Sequence, residues 1–77
     1  MRANSKELVG WKLKRLRGKR TQRDVAKAVG VSISAISSYE AGEKVPRDNV
    51  KCALADFYGT SVEQIFFDQN IDSESNK

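Results

Sequence analysis

The stretch over residues 21–40 constrains this chain most, because it predicts two short helices separated by a tight turn. Thr21 is a residue type that caps helix N-termini, and the apolar residues after it recur at helical spacing. Gly30 is expected to end the first helix, since glycine enters the left-handed conformation without a steric penalty. Ser32 then caps a second helix, whose predicted inward positions are Ala35, Ile36 and Tyr39.

The outward face of this second helix is small and rich in hydroxyl groups, and it consists of Ile33, Ser34, Ser37 and Ser38. Serine is a poor residue for the middle of a helix, because its hydroxyl competes for backbone partners. Small polar side chains let a helix lie deep in the major groove of DNA, where hydroxyls meet base edges and an apolar group meets a thymine methyl. The alternative is an exposed helix that merely happens to be serine-rich.

The charge of the chain is unevenly distributed along its length. Of its 14 basic residues, ten lie within residues 1–27 beside only two acids, which gives that part a net charge of +8. Residues 28–77 carry four basic and eight acidic side chains, a net charge of −4. This polarity favours one surface that meets a polyanion, although a solvated basic helix would give the same composition.

The size and residue inventory exclude several classes of function. A chain of 77 residues with 39% hydrophobic content corresponds to one small domain, and the absence of period-two alternation predicts that it is helical. The single cysteine, Cys52, and the absence of histidine argue against structural zinc, an internal disulfide and a Ser-His or Cys-His nucleophile. We therefore expect no enzyme, no cofactor and no metal, with Cys52 as a small, partly buried filler. No long apolar run is present, which predicts a cytoplasmic protein without a membrane segment.

The remaining segments predict three further helices. Ser5 is a plausible N-cap for a first helix over residues 6–18, and its buried stripe is Val9, Leu13 and Leu16. A fourth helix is predicted from Asp48 to Gly59 with a stripe of Val50, Leu54 and Phe57, and a short fifth is predicted over residues 62–67 with Ser61 as its cap. Phe67 is the best candidate for a dimer contact, and residues 68–77 are predicted to be a disordered tail behind a domain of residues 1–67.

Four positions within or just after the two-helix stretch are candidates for phosphate contacts. Gln22 falls in the first turn of its helix, where unpaired backbone amides and the helix dipole favour an anion. Arg23 and Lys27 can add salt-dependent attraction, and Lys44 lies in the loop that follows the second helix. Ordinary solvation of a helix end is the alternative for Gln22.

Several motifs occur together, in order, at the spacing of a known family. They are residues 13–17 (LKRLR), Thr21 with Gln22, Ala26, Gly30, Ile36, residues 39–42 (YEAG) with Pro46, residues 54–59, and residues 61–65. Over about residues 8–67 the chain resembles the Cro/cI-type, or Xre, family of phage-repressor-like helix-turn-helix proteins. The resemblance implies an all-α, compact five-helix lambda-repressor-like domain that binds double-stranded operator DNA as a homodimer. From the size of the chain we expect no small-molecule ligand.

The resemblance also implies roles for individual residues. The position of Gln22 contacts phosphate in the family, and the positions on the outward face of the second helix meet bases or nearby phosphates. The predicted DNA-binding set is therefore Gln22, Arg23, Ser32, Ile33, Ser34, Ser37, Ser38 and Lys44. Family members often pair an arginine of the first helix with the glutamate at position 40. The segment before Gln22 is about two residues shorter than usual, so this arginine is either Arg17, which we favour, or Arg15.

Two functions of different classes follow from these patterns. The first is a sequence-specific transcriptional regulator, acting as a repressor that occupies a promoter as a dimer. The alternative is a protein-interaction module, such as an antitoxin or an anti-repressor partner, that uses Phe66, Phe67 and the acidic half as its contact surface.

Overall fold

The computed structural model describes residues 5–67, and every regular element within that range is a helix, which confirms the predicted all-α fold. The five helices are α1 (Ser5–Arg17), α2 (Gln22–Val29), α3 (Ile33–Glu40), α4 (Asp48–Tyr58) and α5 (Val62–Phe66). None of the helices between residues 5 and 67 has the length and apolarity needed to cross a membrane. The predicted disordered tail, residues 68–77, lies outside the described residues.

The core forms where the inward faces of all five helices meet. Its nine buried side chains are Val9, Leu13, Val25, Ala26, Ile36, Leu54, Ala55, Ile65 and Phe66. The predicted stripes of α1, α2 and α4 supply most of them, because apolar residues at helical spacing share one face. Phe66 is only 7% exposed, so the interpretation of Phe66 as a partner contact was wrong: it completes the core.

Three helices begin at the hydroxyl caps that the sequence predicts. The side-chain oxygens of Thr21, Ser32 and Ser61 each accept a hydrogen bond from the backbone N–H three residues later, at 3.0, 3.0 and 3.1 Å. Each bond satisfies one of the free amides at a helix start. α1 differs from the prediction, because Ser5 is its first helical residue rather than its cap.

Gly30 makes the turn between α2 and α3. Its φ of 80° is left-handed, and the backbone N–H groups of Gly30 and Val31 both donate to the carbonyl of Ala26, at 2.8 and 3.0 Å. This closes α2 within one residue and leaves Ser32 free to start α3. The turn thus fixes the angle between the two helices locally.

Gly10 lets α1 and α3 approach each other with their backbones nearly in contact. A Cβ atom at this position would lie 2.5 Å from the carbonyl oxygen of Glu40 and 2.9 Å from that of Tyr39. These distances are shorter than van der Waals contact, so a side chain here would force the helices apart. α3 is therefore held against α1 at its C-terminal end.

Cys52 lies on the exposed side of α4, so the prediction that it is a partly buried filler was wrong. The buried residues of α4 are Leu54 and Ala55, while Val50 and Phe57 pack at the edge of the core. Cys52 lies two positions from both Val50 and Leu54, which places it on the opposite side of α4 from that stripe.

Candidate nucleic-acid interface

The outward side of α3 is open to solvent. Ile33 is 45% exposed, Ser34 and Ser37 are exposed, and Ser38 is half-buried. Ile36, on the inward side of the same helix, is 2% exposed. The apolar half of α3 therefore anchors the helix, and its hydroxyl-bearing half remains available for a ligand.

Ser32 has a structural task at the start of α3. Its hydroxyl accepts from the N–H of Ala35, so one of its lone pairs is already engaged. A hydroxyl carries a second lone pair and a rotatable proton, so the same group can still donate to a neighbouring acceptor.

Glu40 receives three hydrogen bonds at the end of α3. Arg17 donates from Nε to Oε2 at 2.7 Å and from Nη2 to Oε1 at 3.1 Å, and the amide of Gln22 donates from Nε2 to Oε1 at 3.1 Å. The bonds to Glu40 raise the pKa of Arg17 above its ordinary value. One carboxylate thus links the end of α1, the end of α3 and the start of α2.

Of the two arginines that the sequence left open, the structure pairs Arg17 with Glu40. Arg15 lies elsewhere on α1, where its guanidinium stacks on the ring of Trp11 at 4.8 Å from the centroid. Arg17 is also held by its own Nη1, which donates to the carbonyl of Arg20 at 2.8 Å. The short connection after α1 therefore folds around the Arg17 side chain.

The network has an electrostatic consequence for the surface around it. The side chain of Glu40 is 5% exposed and is neutralised by a bidentate arginine. A carboxylate left free at this point would repel a polyanion that approached α3. Pairing it removes that repulsion and leaves the exposed basic side chains to set the local potential.

A shallow cleft of about 230 Å³ joins the start of α2 to α3, and it is lined by Lys14, Arg17, Gln22, Ser37, Glu40 and Ala41. Gln22 and Ser37, which are 15 positions apart in the sequence, meet in this cleft. Lys14, which is not among the predicted DNA-binding residues, is exposed beside them. The spacing from Lys14 to Arg17 places both on one side of α1, which is the signal that could have identified Lys14.

The other residues predicted to bind DNA do not line this cleft. Arg23 is exposed on the first turn of α2, and Lys44 is exposed in the loop after α3. That loop folds back on α3, because the backbone N–H groups of Glu43 and Lys44 donate to the carbonyl of Ser38 at 2.9 and 3.4 Å.

Arg20, in the short connection after α1, turns toward α4. Its guanidinium lies over the rings of Phe57 and Tyr58, at 5.2 and 5.7 Å from their centroids. Arg20 thereby stabilises the packing of α4 on the connection after α1.

Tyr58 lies in a desolvated position. Burial, followed by the charge of Glu40, raises the pKa of Tyr58 to about 12.

Two short helices that are joined by a glycine turn and packed on a common core, with the outer side of the second helix exposed, define a helix-turn-helix protein of the DNA-binding class. The helix-turn-helix domain family matches residues 8–65. The match spans most of the chain, and the protein belongs to this family. No curated protein and no solved structure matches it.

Proposed function

We propose that this protein is a transcriptional regulator of the Cro/cI, or Xre, type that represses genes by occupying operator DNA as a homodimer. The observation that carries the proposal is the solvent-facing, hydroxyl-lined side of α3, which is continuous with a basic cleft at the start of α2. A regulator of this kind acts on the chromosome, so the proposal includes a cytoplasmic location.

In this proposal α3 is the recognition helix and enters the major groove. Ser34, Ser37 and Ser38 hydrogen-bond to base edges, and Ile33 meets the methyl group of a thymine. Arginine, asparagine and glutamine, which give the strongest base discrimination, are absent from α3. Sequence preference therefore depends on Ile33, bridging water and DNA shape as much as on direct hydrogen bonds.

The phosphate contacts come from side chains around α3 in the same proposal. Gln22 uses one amide hydrogen on Glu40, and its second amide hydrogen is the donor we assign to a phosphate oxygen. Lys14, Arg23 and Lys44 supply the positive charge. The Glu40 network then positions Gln22 by fixing its amide before DNA arrives.

Selection of bound duplexes from a random-sequence pool tests this function. We expect enrichment of a short site with two-fold symmetry. Ser34→Ala and Ser38→Ala should change the preferred sequence, whereas Gln22→Ala and Arg23→Ala should weaken binding to all sequences alike. A pool without enrichment, or serine variants that select the same site as the wild type, would contradict the proposal.

The dimer is a separate part of the proposal and has its own test. Phe67 follows α5 and is 52% exposed, so it presents an apolar ring that a second copy can cover. Sedimentation should show a concentration-dependent dimer that Phe67→Ala weakens. A monomeric wild-type protein at all concentrations would remove the dimer from the proposal.

A further inference from the structure

A second concave surface lies between α1 and α5, apart from the cleft beside α3. Its volume is about 390 Å³, which is at the lower end of the range of ligand pockets in proteins. The lining residues are Trp11, Lys12, Arg15, Leu16, Thr60, Gln64 and Ile65. We call this surface the α1–α5 groove.

Trp11 is the most unusual residue of the α1–α5 groove. It is the only tryptophan of the chain, and 57% of it is exposed. Tryptophan and arginine are the residue types most enriched among side chains that dominate protein–protein binding. Here they occur together, since Arg15 stacks on the Trp11 ring at 4.8 Å.

The charge of the α1–α5 groove is one-sided. Lys12 and Arg15 stand beside its apolar floor, and the residues that line it, all within 5–67, include no acid. Lys12 is fixed in place, because its Nζ donates to the carbonyl of Gln64 at 2.9 Å. Two cations beside Trp11, Leu16 and Ile65 complement a ligand that carries carboxylates next to an apolar side chain.

The α1–α5 groove and the recognition surface use different rows of α1. Gly10 and Arg17 meet Glu40 of α3, and Lys14 lines the cleft beside them. Trp11 and Arg15 instead belong to the row that faces α5. A ligand can therefore occupy the groove while α3 is engaged elsewhere.

We propose that the α1–α5 groove is a docking site for an acidic segment of a partner protein, which inserts one large apolar side chain beside Trp11 and places carboxylates against Lys12 and Arg15. This site is distinct from the proposed DNA surface and does not depend on it. It provides a way to recruit a second protein to the chain.

A library of random short peptides displayed on phage, selected against the full chain, tests this proposal. The selected peptides should combine several Asp or Glu with one aromatic or large aliphatic residue. Binding of the tightest peptide should change the emission of Trp11, since this chain has no other tryptophan. A selection that enriches nothing, or enriches neutral or basic peptides, overturns the proposal.

Variants locate the site. Measured by the anisotropy of a labelled selected peptide, Trp11→Ala should weaken binding by about tenfold or more, as expected for a central anchor residue. Arg15→Glu should abolish it. Lys27→Glu changes the net charge by the same amount on the exposed side of α2 and should leave peptide affinity unchanged. Circular dichroism confirms that each variant is folded.

The charge-neutral variant Trp11→Ala distinguishes the proposed partner from two other occupants of the groove, namely duplex DNA and a second copy of this chain. Loss of affinity for duplex DNA would assign the groove to the DNA surface, and a change in the sedimenting species would assign it to a second copy of this chain. Either result overturns the proposal. We expect both properties to match those of the wild type.

Discussion

At the scale of single residues, Glu40 joins three helices through the hydrogen bonds that its carboxylate accepts. Its carboxylate is almost inaccessible to water, at 5% exposure, and it depends on Arg17 and Gln22 for compensation. A desolvated carboxylate that loses its main cation is costly, because neither water nor another charge replaces the lost interaction. The pair therefore contributes to stability chiefly through the penalty of breaking it.

Arg17→Ala should lower the free energy of unfolding by about 2 kcal/mol, because it leaves Glu40 with one neutral donor. Urea denaturation followed by circular dichroism measures this loss. Arg15→Ala is the matched control on the same helix; it removes only the exposed contact with Trp11 and should change stability by less than about 1 kcal/mol. Equal losses for both variants would show that the Glu40 network contributes nothing specific.

Tyr58 makes stability depend on pH in the alkaline range. Burial raises its pKa from 10.0 to about 12. Between these two pH values the folded state therefore keeps a phenolic proton that the unfolded state has released. The free energy of unfolding should therefore be unaffected by this group below pH 10 and decline as pH rises from 10 to about 12. Tyr58→Phe should have a smaller decline than the wild type in denaturation curves across that window. The control variant Tyr39→Phe keeps the Tyr58 hydroxyl and should therefore retain the decline that this group causes.

At the scale of helices, the packing of α3 on α1 depends on the missing side chain of Gly10. In an ordinary helix interior, Gly→Ala stabilises by about 1 kcal/mol. Here the added methyl group would meet two carbonyl oxygens of α3. Whether Gly10→Ala stabilises or destabilises the protein therefore shows how closely α1 and α3 approach each other at this position.

Gly10→Ala should destabilise the protein by about 2 kcal/mol, within the range for overpacked contacts. Thermal and urea denaturation measure the change. Gly30→Ala provides a comparison, because nothing lies within 4 Å of a Cβ there and the cost comes only from its left-handed backbone. A stabilised Gly10→Ala protein would mean that α1 and α3 are farther apart than described.

The helices that the sequence predicts well are those with local signals. Thr21, Ser32 and Ser61 cap their helices through bonds only three residues long, so neighbouring residues suffice to identify them. Contacts between distant segments are different. Gly10 meets α3 across 30 positions of sequence, and the choice between Arg15 and Arg17 depended on how the connection after α1 folds. The α1–α5 groove likewise forms only where the two helices pack together, so no local sequence pattern predicts it.

At the scale of the whole molecule, the charge is segregated. The basic N-terminal part, with a net charge of +8 over residues 1–27, includes α1 and most of α2, and the more acidic remainder includes α4 and α5. Such a separation orients the protein toward a polyanion before any contact forms. Binding through phosphates also releases counterions, which makes affinity fall as salt rises.

DNA affinity should therefore fall linearly on a plot of log affinity against log salt. Arg23→Ala should reduce the magnitude of the slope by about one, the contribution of a single phosphate contact. Lys51→Ala removes the same charge from α4 and should leave the slope unchanged. Fluorescence anisotropy of a labelled duplex over a salt series measures both. Equal slopes for the wild type and Arg23→Ala would exclude Arg23 from the interface.

The separation of the two sides of α3 has a consequence for how such a protein diversifies. The side chains of Ile33, Ser34 and Ser37 are not part of the core. Helix α3 is held instead by Ile36, its caps and the contact of Gly10 with its C-terminal end. Substitutions at these three positions would leave the packing of the domain intact while altering the surface of α3 that binds its ligand. Under the proposed function, new binding preferences arise by point mutation alone, without compensating changes elsewhere in the domain.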